Sequence, residues 1–313
     1  MQKLNFAIVG CGRMGKTRAA ALHYLGAGIR YSLDCDESLA KSIIQFDENC
    51  TAITHVSEID WKLIDGVFIC TPPGLRGQIE SLAFEHRKSI FVEKPLHISI
   101  EKAKELKDRF SSSEVLFAVG YMNRYRHSVN LVKRHLANLG VIGFQAHWIC
   151  KPYGVTWWKD KSLSGGPLNE QATHLVDLAR FFFGTVTKVS AFKNNDEDGI
   201  GESVCANLSF ENNISGSIIY SCCGSEKDIA FQIFTKKGSL CLSGWDLSLQ
   251  ENSVISEKDI QYTDDIFRIE TSCFLKSVHN NTRYSIKSTL DDAFLSQLVI
   301  SRISQSVRDG ETH

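Results

Sequence analysis

The stretch that decides the fold is "NFAIVGCGRMG" at residues 5–15. Its apolar run, Phe6 to Val9, does not alternate with polar residues, as expected of a strand covered on both faces in a parallel sheet. Gly10, Gly12 and Gly15 follow at once as G-x-G-x-x-G. At the end of a strand and the start of a helix, such glycines allow a tight turn and close backbone approach to a pyrophosphate. A glycine-rich turn of no further meaning is the plain alternative. The context weighs against it. Residues 13–25 read as a helix with Ala19, Leu22 and Leu25 on one side, and "IRYSLD" (29–34) reads as a second strand ending in Asp34, 19 residues beyond Gly15. An acid at that point accepts adenosine ribose hydroxyls and repels a 2′-phosphate, so the spacing predicts NAD, with NADP open where nearby cations offset the acid.

Further along, short apolar strands keep alternating with amphipathic helices. A helix at "DESLAKSIIQF" precedes a strand at "AITHV", and "DGVFIC" (65–70) and "SIFVEKP" (89–95) are strands flanking a helix around 75–87. "SIEKAKELKDRF" (99–110) is a helix with Ser99 as N-cap, and "VLFAVGY" (115–121) closes the series. The pattern predicts a doubly wound parallel sheet over residues 1–120, a Rossmann domain. Ligands in such sheets sit beyond the carboxyl ends of the strands, where "CTPPG" (70–74) and "VEKP" (92–95) fall. The candidate cofactor residues are therefore Gly10, Cys11, Gly12, Arg13, Met14, Gly15, Asp34, Thr71, Pro72, Glu93 and Lys94. A solvated lysine before a proline is the plain alternative for Lys94, but a lysine at the carboxyl end of a strand in such a sheet is better placed than that.

Beyond about residue 140 the period changes. "VIGFQAHWIC" is a longer strand, residues 203–210 and 214–222 alternate about an "ENN" turn, and "DIAFQIFTKKGSLCLSGWDLSL" continues in strands. Residues 121–313 are expected to form a second, α+β domain with a large, mostly antiparallel open-faced sheet. Residues 194–202 read as a polar loop. A closing helix at 289–307 is expected, with the option of packing back toward the first domain.

The chain has 313 residues, 43% hydrophobic and 23% charged, with a formal net charge of −1. That composition is globular, long enough for two cores, and lacks the basic face a nucleic-acid partner requires. No apolar run is long enough for a membrane helix, and the start of the chain shows no basic leader, so a cytoplasmic protein is expected. The ten cysteines form no CxxC pair and read mostly as small hydrophobes in a reducing compartment.

"SGGPLNEQATHLVD" (164–177) carries Glu170, His174 and Asp177 at spacings of four and three, which an α-helix would stack on one face. Three readings are open: a metal site, an acid–base pair, or a helix with ordinary ion-pairing groups. The metal reading lacks a second element or an HExxH pattern, and no metal is expected. Trp157, Trp158 and Tyr153 in "KPYGVTWWKD" are either pocket walls for a sugar ring or core residues.

Taken in order, "VGCGRMG", Asp34, "DGVFICTPP", "VEKPL", "VGYMNRY" and "SGGPLNEQATHLVDLARFFFG" make the chain resemble the glucose–fructose oxidoreductase / inositol dehydrogenase / MocA family over nearly its full length. The resemblance implies an NAD(P)-dependent oxidoreductase acting on a hydroxyl or keto carbon of a polyol, sugar or sugar derivative, as a homodimer or homotetramer. It implies a cis peptide between Lys94 and Pro95, with Lys94, His174 and Glu170 as the catalytic set. Glu170 stands where the family usually has aspartate, and Ala172 where it has glycine. Asn123 replaces the first of two arginines, Arg124 being the second, and Arg76 falls where a histidine often follows "TP". The implied substrate residues are Asn123, Arg124, Tyr153, Trp158, Glu170 and His174. Oxidation of a secondary alcohol needs a base for the hydroxyl proton, which a histidine supplies near neutral pH, and a lysine can stabilise developing alkoxide charge. Glu170 would orient the imidazole or touch substrate, and Asp177 would support the helix or pair with Arg180. Two alternatives remain: a glycoside-cleaving enzyme that uses NAD for transient oxidation, and a non-catalytic NAD(H)-binding sensor.

Overall fold

The computed structural model describes residues 3–110, 113–195, 202–255 and 265–313. The chain divides into two compact units, one of Met1–Met122 with Thr263–Phe294 and one of Asn123–Tyr262 with Leu295–His313.

The first unit is built on a six-stranded parallel sheet. Its strands are β1 (Asn5–Val9), β2 (Gly28–Leu33), β3 (Thr51–Ile53), β4 (Gly66–Ile69), β5 (Ser89–Val92) and β6 (Phe117–Val119), in the order β3-β2-β1-β4-β5-β6. The order reverses between β1 and β4, the switch point at which such sheets bind ligands. Alternation along β1 explains its unbroken apolar sequence. Phe6 and Ile8 belong to the core on one face, with Ala19 and Leu22 of α1 (Arg13–Tyr24), while Ala7 and Val9 belong to the other. That second face is covered by Ala83 of α3 (Gln78–Glu85) and by Ala103, Leu106 and Phe110 of α4 (Ile100–Phe110). A short helix α2 (Glu37–Lys41) starts on Asp36, whose carboxylate accepts from the amides of Ser38 and Leu39.

The second unit is a seven-stranded sheet of β7 (Val141–Ile149), β8 (Val186–Asn195), β9 (Glu202–Phe210), β10 (Ser215–Ser221), β11 (Asp228–Thr235), β12 (Gly238–Ser243) and β13 (Ser248–Leu249). The order is β13-β12-β11-β7-β10-β9-β8, with β7 and β10 parallel and the other pairs antiparallel. Period-2 alternation turns Val204, Ala206, Leu208 and Phe210 of β9 into one core with Ile218 and Tyr220 of β10. Helices α5 (His127–His135), α6 (Thr156–Lys159), α7 (Lys161–Ser164) and α8 (Thr173–Phe183) belong to this unit, and α8 is buried at every residue except Phe181. The polar loop expected at 194–202 falls largely on residues 196–201, outside the described residues.

Residues Thr263–Phe294, which the sequence placed in the second domain, belong to the first unit. The reason is α9 (Ile266–Asn280), whose Phe274 packs against Phe6, Phe68 and Phe91 at ring centroid distances of 6.2, 5.4 and 5.5 Å. The last helix, α10 (Leu290–Asp309), divides between the units. Leu290 and Ala293 lie in the first unit's core, and Val299, Ile300 and Ile303 in the second's. Among the described residues no helix is long and apolar enough to cross a membrane.

Candidate functional site

The glycine loop leaves β1 with Gly10 at φ +86°, a left-handed conformation that side chains disfavour. A Cβ there would lie 2.8 Å from the Thr71 amide nitrogen, so the loop passes directly against the segment after β4. At Gly15 a Cβ would lie 2.1 Å from the Gly10 carbonyl oxygen, which fixes how closely α1 approaches the strand. Gly12 differs: it is the N-cap of α1, makes no side-chain capping bond, and a Cβ on it would meet nothing within 4 Å. An uncapped helix start with free space above it suits a pyrophosphate, because the first-turn amides around Arg13, Met14 and Gly15 carry partial positive charge. These residues fit a dinucleotide.

Asp34 ties this loop to the next. Its Oδ2 accepts from the Cys11 amide at 2.7 Å and its Oδ1 from the Asp36 amide at 3.0 Å. Cys11 is fully buried, and burial, with the Asp34 charge second, pushes its thiol up to about 12. It is filler that keeps the loop closed, and not a nucleophile.

The segments after β4 and β5 come together within the first unit. Thr71 O accepts from Arg76 Nε at 3.2 Å and Nη2 at 2.9 Å, and Arg76 Nη1 donates to Pro95 O. Lys94 is half-buried and the Lys94–Pro95 peptide is cis. Glu93 is buried and accepts from Arg18 Nε at 2.7 Å. Arg18 has no exposure at all and also donates to Glu270 Oε2 at 2.6 Å and Thr271 Oγ1 at 3.3 Å, with its guanidinium 4.4 Å over the Phe91 ring. Burial opposes this charge, but Glu93 and Glu270 outweigh it and hold the guanidinium's proton affinity above its ordinary value. Arg18 and Glu270 were not singled out from the sequence. The signal was present in one of them: Arg18 shares the apolar stripe of α1 with Gly15, Ala19 and Leu22, where an arginine needs a buried partner.

In the second unit, Gly165 (φ +74°) ends α7. Leu168–Ala172 then winds as a π-helix before α8 begins. The stack of Glu170, His174 and Asp177 on one α-helical face is thereby altered, because Glu170 lies in the wider turn and His174 in the α-helix. Each group has a different partner. Glu170 Oε2 accepts from Trp158 Nε1 at 3.1 Å and from the Gln171 side-chain amide. The His174 ring stacks on Trp148, with centroids 5.2 Å apart and an interplanar angle of 10°. Asp177 takes Arg124, whose Nε and Nη2 each donate to one carboxylate oxygen at 2.8 Å. Ser296 Oγ donates to Asp177 as well, at 2.9 Å, and Arg180 Nη1 donates to that same serine at 2.8 Å. Asn123 Oδ1 accepts from Arg126 Nε at 2.9 Å. Tyr153 lies edge-on to Trp158 at 5.5 Å, and Trp158 is only 3% exposed. All ten cysteines are free.

A switch-point glycine loop closed by an acid at the end of β2, on a Rossmann sheet, defines an NAD-binding oxidoreductase. Two family descriptions match the sequence in the same places: "Oxidoreductase family, NAD-binding Rossmann fold" over residues 4–121 and "GFO/IDH/MocA C-terminal domain" over residues 141–241. The chain belongs to the Gfo/Idh/MocA oxidoreductase family. Among curated proteins it is 29% identical over 213 residues to levoglucosan dehydrogenase of Pseudarthrobacter phenanthrenivorans, covering 61% of this chain and 54% of that one. It is also 29% identical over 192 residues to scyllo-inositol 2-dehydrogenase (NAD(+)) of Bacillus subtilis, covering 59% and 55%. The matched span is thus about half the length of these two relatives. In fold it is similar to levoglucosan dehydrogenase in complex with NADH and levoglucosan, with a TM-score of 0.85, 22% identity and coverage of 100% and 99%.

Proposed function

We propose that this NAD-dependent oxidoreductase interconverts a secondary hydroxyl and a ketone on a polyol, sugar or sugar derivative. The observation carrying the cofactor half is Asp34, an acid at the end of β2 bonded to the loop through Cys11. The substrate class is supported by the activities named for the two curated relatives, an anhydrosugar and an inositol dehydrogenase. When bound, NAD supplies the hydride acceptor. His174 takes the hydroxyl proton as base and returns it in reduction. Lys94 Nζ donates to the substrate oxygen and stabilises charge that grows there. The substrate-contacting set is Asn123, Arg124, Tyr153, Trp158, Glu170 and His174, with Trp158 as an aromatic wall. Glu170, engaged by Trp158 and Gln171, sets that wall.

The test is absorbance of NADH during incubation with a panel of inositols, anhydrosugars and keto-sugars. Turnover on at least one is expected; NAD binding without turnover on any would defeat the reading. The same panel separates a glycoside-cleaving enzyme, which would release a leaving group without net NADH. Lys94→Met and His174→Ala are expected to lose turnover while binding NAD, and full activity in either would sink the role given to it. Asp34→Ser is expected to weaken NAD more than NADP. We further propose a cytoplasmic homodimer or homotetramer without membrane or nucleic-acid partners, to be checked by light scattering on the purified chain.

A further inference from the structure

The geometry points to Arg76 as a positioning residue for Lys94, working with Arg18 to hold the Glu93–Lys94–Pro95 segment from both ends. The inference rests on the reading of Lys94 as the residue that touches the substrate oxygen. Residues 93–95 lie past the end of β5, and the ladder's last bond there is the Glu93 amide to the Ile69 carbonyl at 2.9 Å. On one side, Arg18 grips the Glu93 carboxylate at 2.7 Å from inside the core. On the other, Arg76 reaches the carbonyl of Pro95 with Nη1 while Nε and Nη2 hold the carbonyl of Thr71. Lys94 is thus bracketed by two anchored neighbours, and the segments following β4 and β5 are fastened to each other by one planar group.

Only a guanidinium does this. Three N–H donors in one plane serve two carbonyls at once, whereas a lysine offers a single point of charge and an imidazole at most two opposed nitrogens. Arg76 is only 8% exposed, and the charge of the buried Glu80 acts on it. A buried charged network is poor value as a source of net stability, because apolar residues of similar volume often do as well or better. Its use here is geometric. An error of about 1 Å in the position of a catalytic group costs about 100-fold in rate.

The experiment compares full-length Arg76→Met, Arg76→Lys and Lys94→Met with wild type, using the polyol or sugar that turns over best in the panel. Arg76→Met is expected to lower kcat about 30- to 100-fold, with KM and the NAD dissociation constant held within about threefold. Arg76→Lys, which keeps the charge, is expected to recover little of kcat. In the Lys94→Met background, Arg76→Met is expected to add no further loss, as for residues acting through one group. A readout independent of turnover is the rate at which acetic anhydride modifies Lys94 Nζ, read by peptide mass. It is expected to change in Arg76→Met and in Arg76→Lys. If Arg76→Met does not fold, Arg76→Lys decides by the same labelling. Unchanged kcat and unchanged Lys94 labelling in a folded Arg76 variant would overturn the positioning role while leaving Lys94→Met inactive. Full activity of Lys94→Met would instead remove the reading beneath it.

Discussion

Two buried arginines, one in each unit, hold the segments that carry the two candidate catalytic groups, and they do so differently. Arg18 faces two carboxylates, Glu93 and Glu270, which lie 75 and 252 residues away along the chain. Arg124 faces one, Asp177, in a bidentate pair, and that aspartate also accepts from Ser296. The first arrangement has a surplus of negative charge and leans on aromatic faces, Phe91 at 4.4 Å and Phe267 at 5.2 Å. The second pairs Arg124 with a single carboxylate, has one aromatic face in Phe181 at 5.3 Å, and is joined through Ser296 by Arg180. The segment bearing Lys94 is therefore fixed by charge, whereas the helix bearing His174 is fixed by its winding, by Trp148 and by the Arg124–Asp177 pair.

The largest expected effect breaks that comparison at its base. Arg18→Met removes the guanidinium that two buried carboxylates share, and a loss of about 3–5 kcal/mol is expected in urea unfolding of the whole chain. Arg124→Met strands one carboxylate that keeps its serine donor, so a loss of about 3 kcal/mol or less is expected. Adding Glu270→Gln to Arg18→Met is expected to return part of the loss. Equal losses from the two arginine variants would mean that the second carboxylate is of no consequence.

A second comparison lies inside the glycine loop. Gly15→Ala pushes a methyl into the Gly10 carbonyl, and overpacking against backbone costs about 1–3 kcal/mol. Gly12→Ala meets open space, so its melting temperature is expected to stay near wild type while NAD binding weakens, since the methyl enters the volume assigned to the pyrophosphate. A Gly12→Ala chain that binds NAD normally would place the cofactor elsewhere.

These contrasts also show what the sequence could carry. The parallel sheet, the glycine loop and Asp34 were legible because each depends on local spacing: strand, turn and helix follow one another within 34 residues. The alternation of β9 and β10 about their turn was legible for the same reason. Helix α9 was not, because its membership of the first unit depends on Phe274 and Glu270 finding partners more than 170 residues away. The π-helical turn at Leu168–Ala172 was equally out of reach. Counting residues assumes one winding, and Leu168–Ala172 adopts another. The partners of Glu170 and Asp177, Trp158 and Arg124, come from segments whose meeting no periodicity announces.

A smaller effect probes the second unit alone. Trp158→Phe keeps the ring in place but removes the indole donor from the buried Glu170, which leaves a loss of about 1–2 kcal/mol. If Glu170 sets the pocket wall, substrate KM should rise more than kcat falls. A change confined to kcat would argue that Glu170 acts on His174 instead.

The smallest expected effect returns to the first unit and concerns His97, on the same segment as Lys94. Its Nδ1 accepts from the amides of Ile98 at 2.9 Å and Ser99 at 3.4 Å, so the ring is neutral where it caps the approach to α4. Arg76, Lys102 and Glu105 face it, and its ring also bonds the Arg76 backbone. Burial chiefly, then the Arg76 charge, lowers its proton affinity below the ordinary 6.5. The unfolded chain therefore binds this proton more readily than the folded one, and stability rises with pH across the interval between the two values. The contribution is complete above 6.5 and is lost as pH falls below it toward the folded value. Urea midpoints measured from about pH 8 to about pH 5 should fall less steeply in His97→Gln than in wild type. Identical slopes would show that the histidine's proton is not linked to folding. A flattened slope would show that this histidine's proton is linked to folding of the segment that Arg76 fastens.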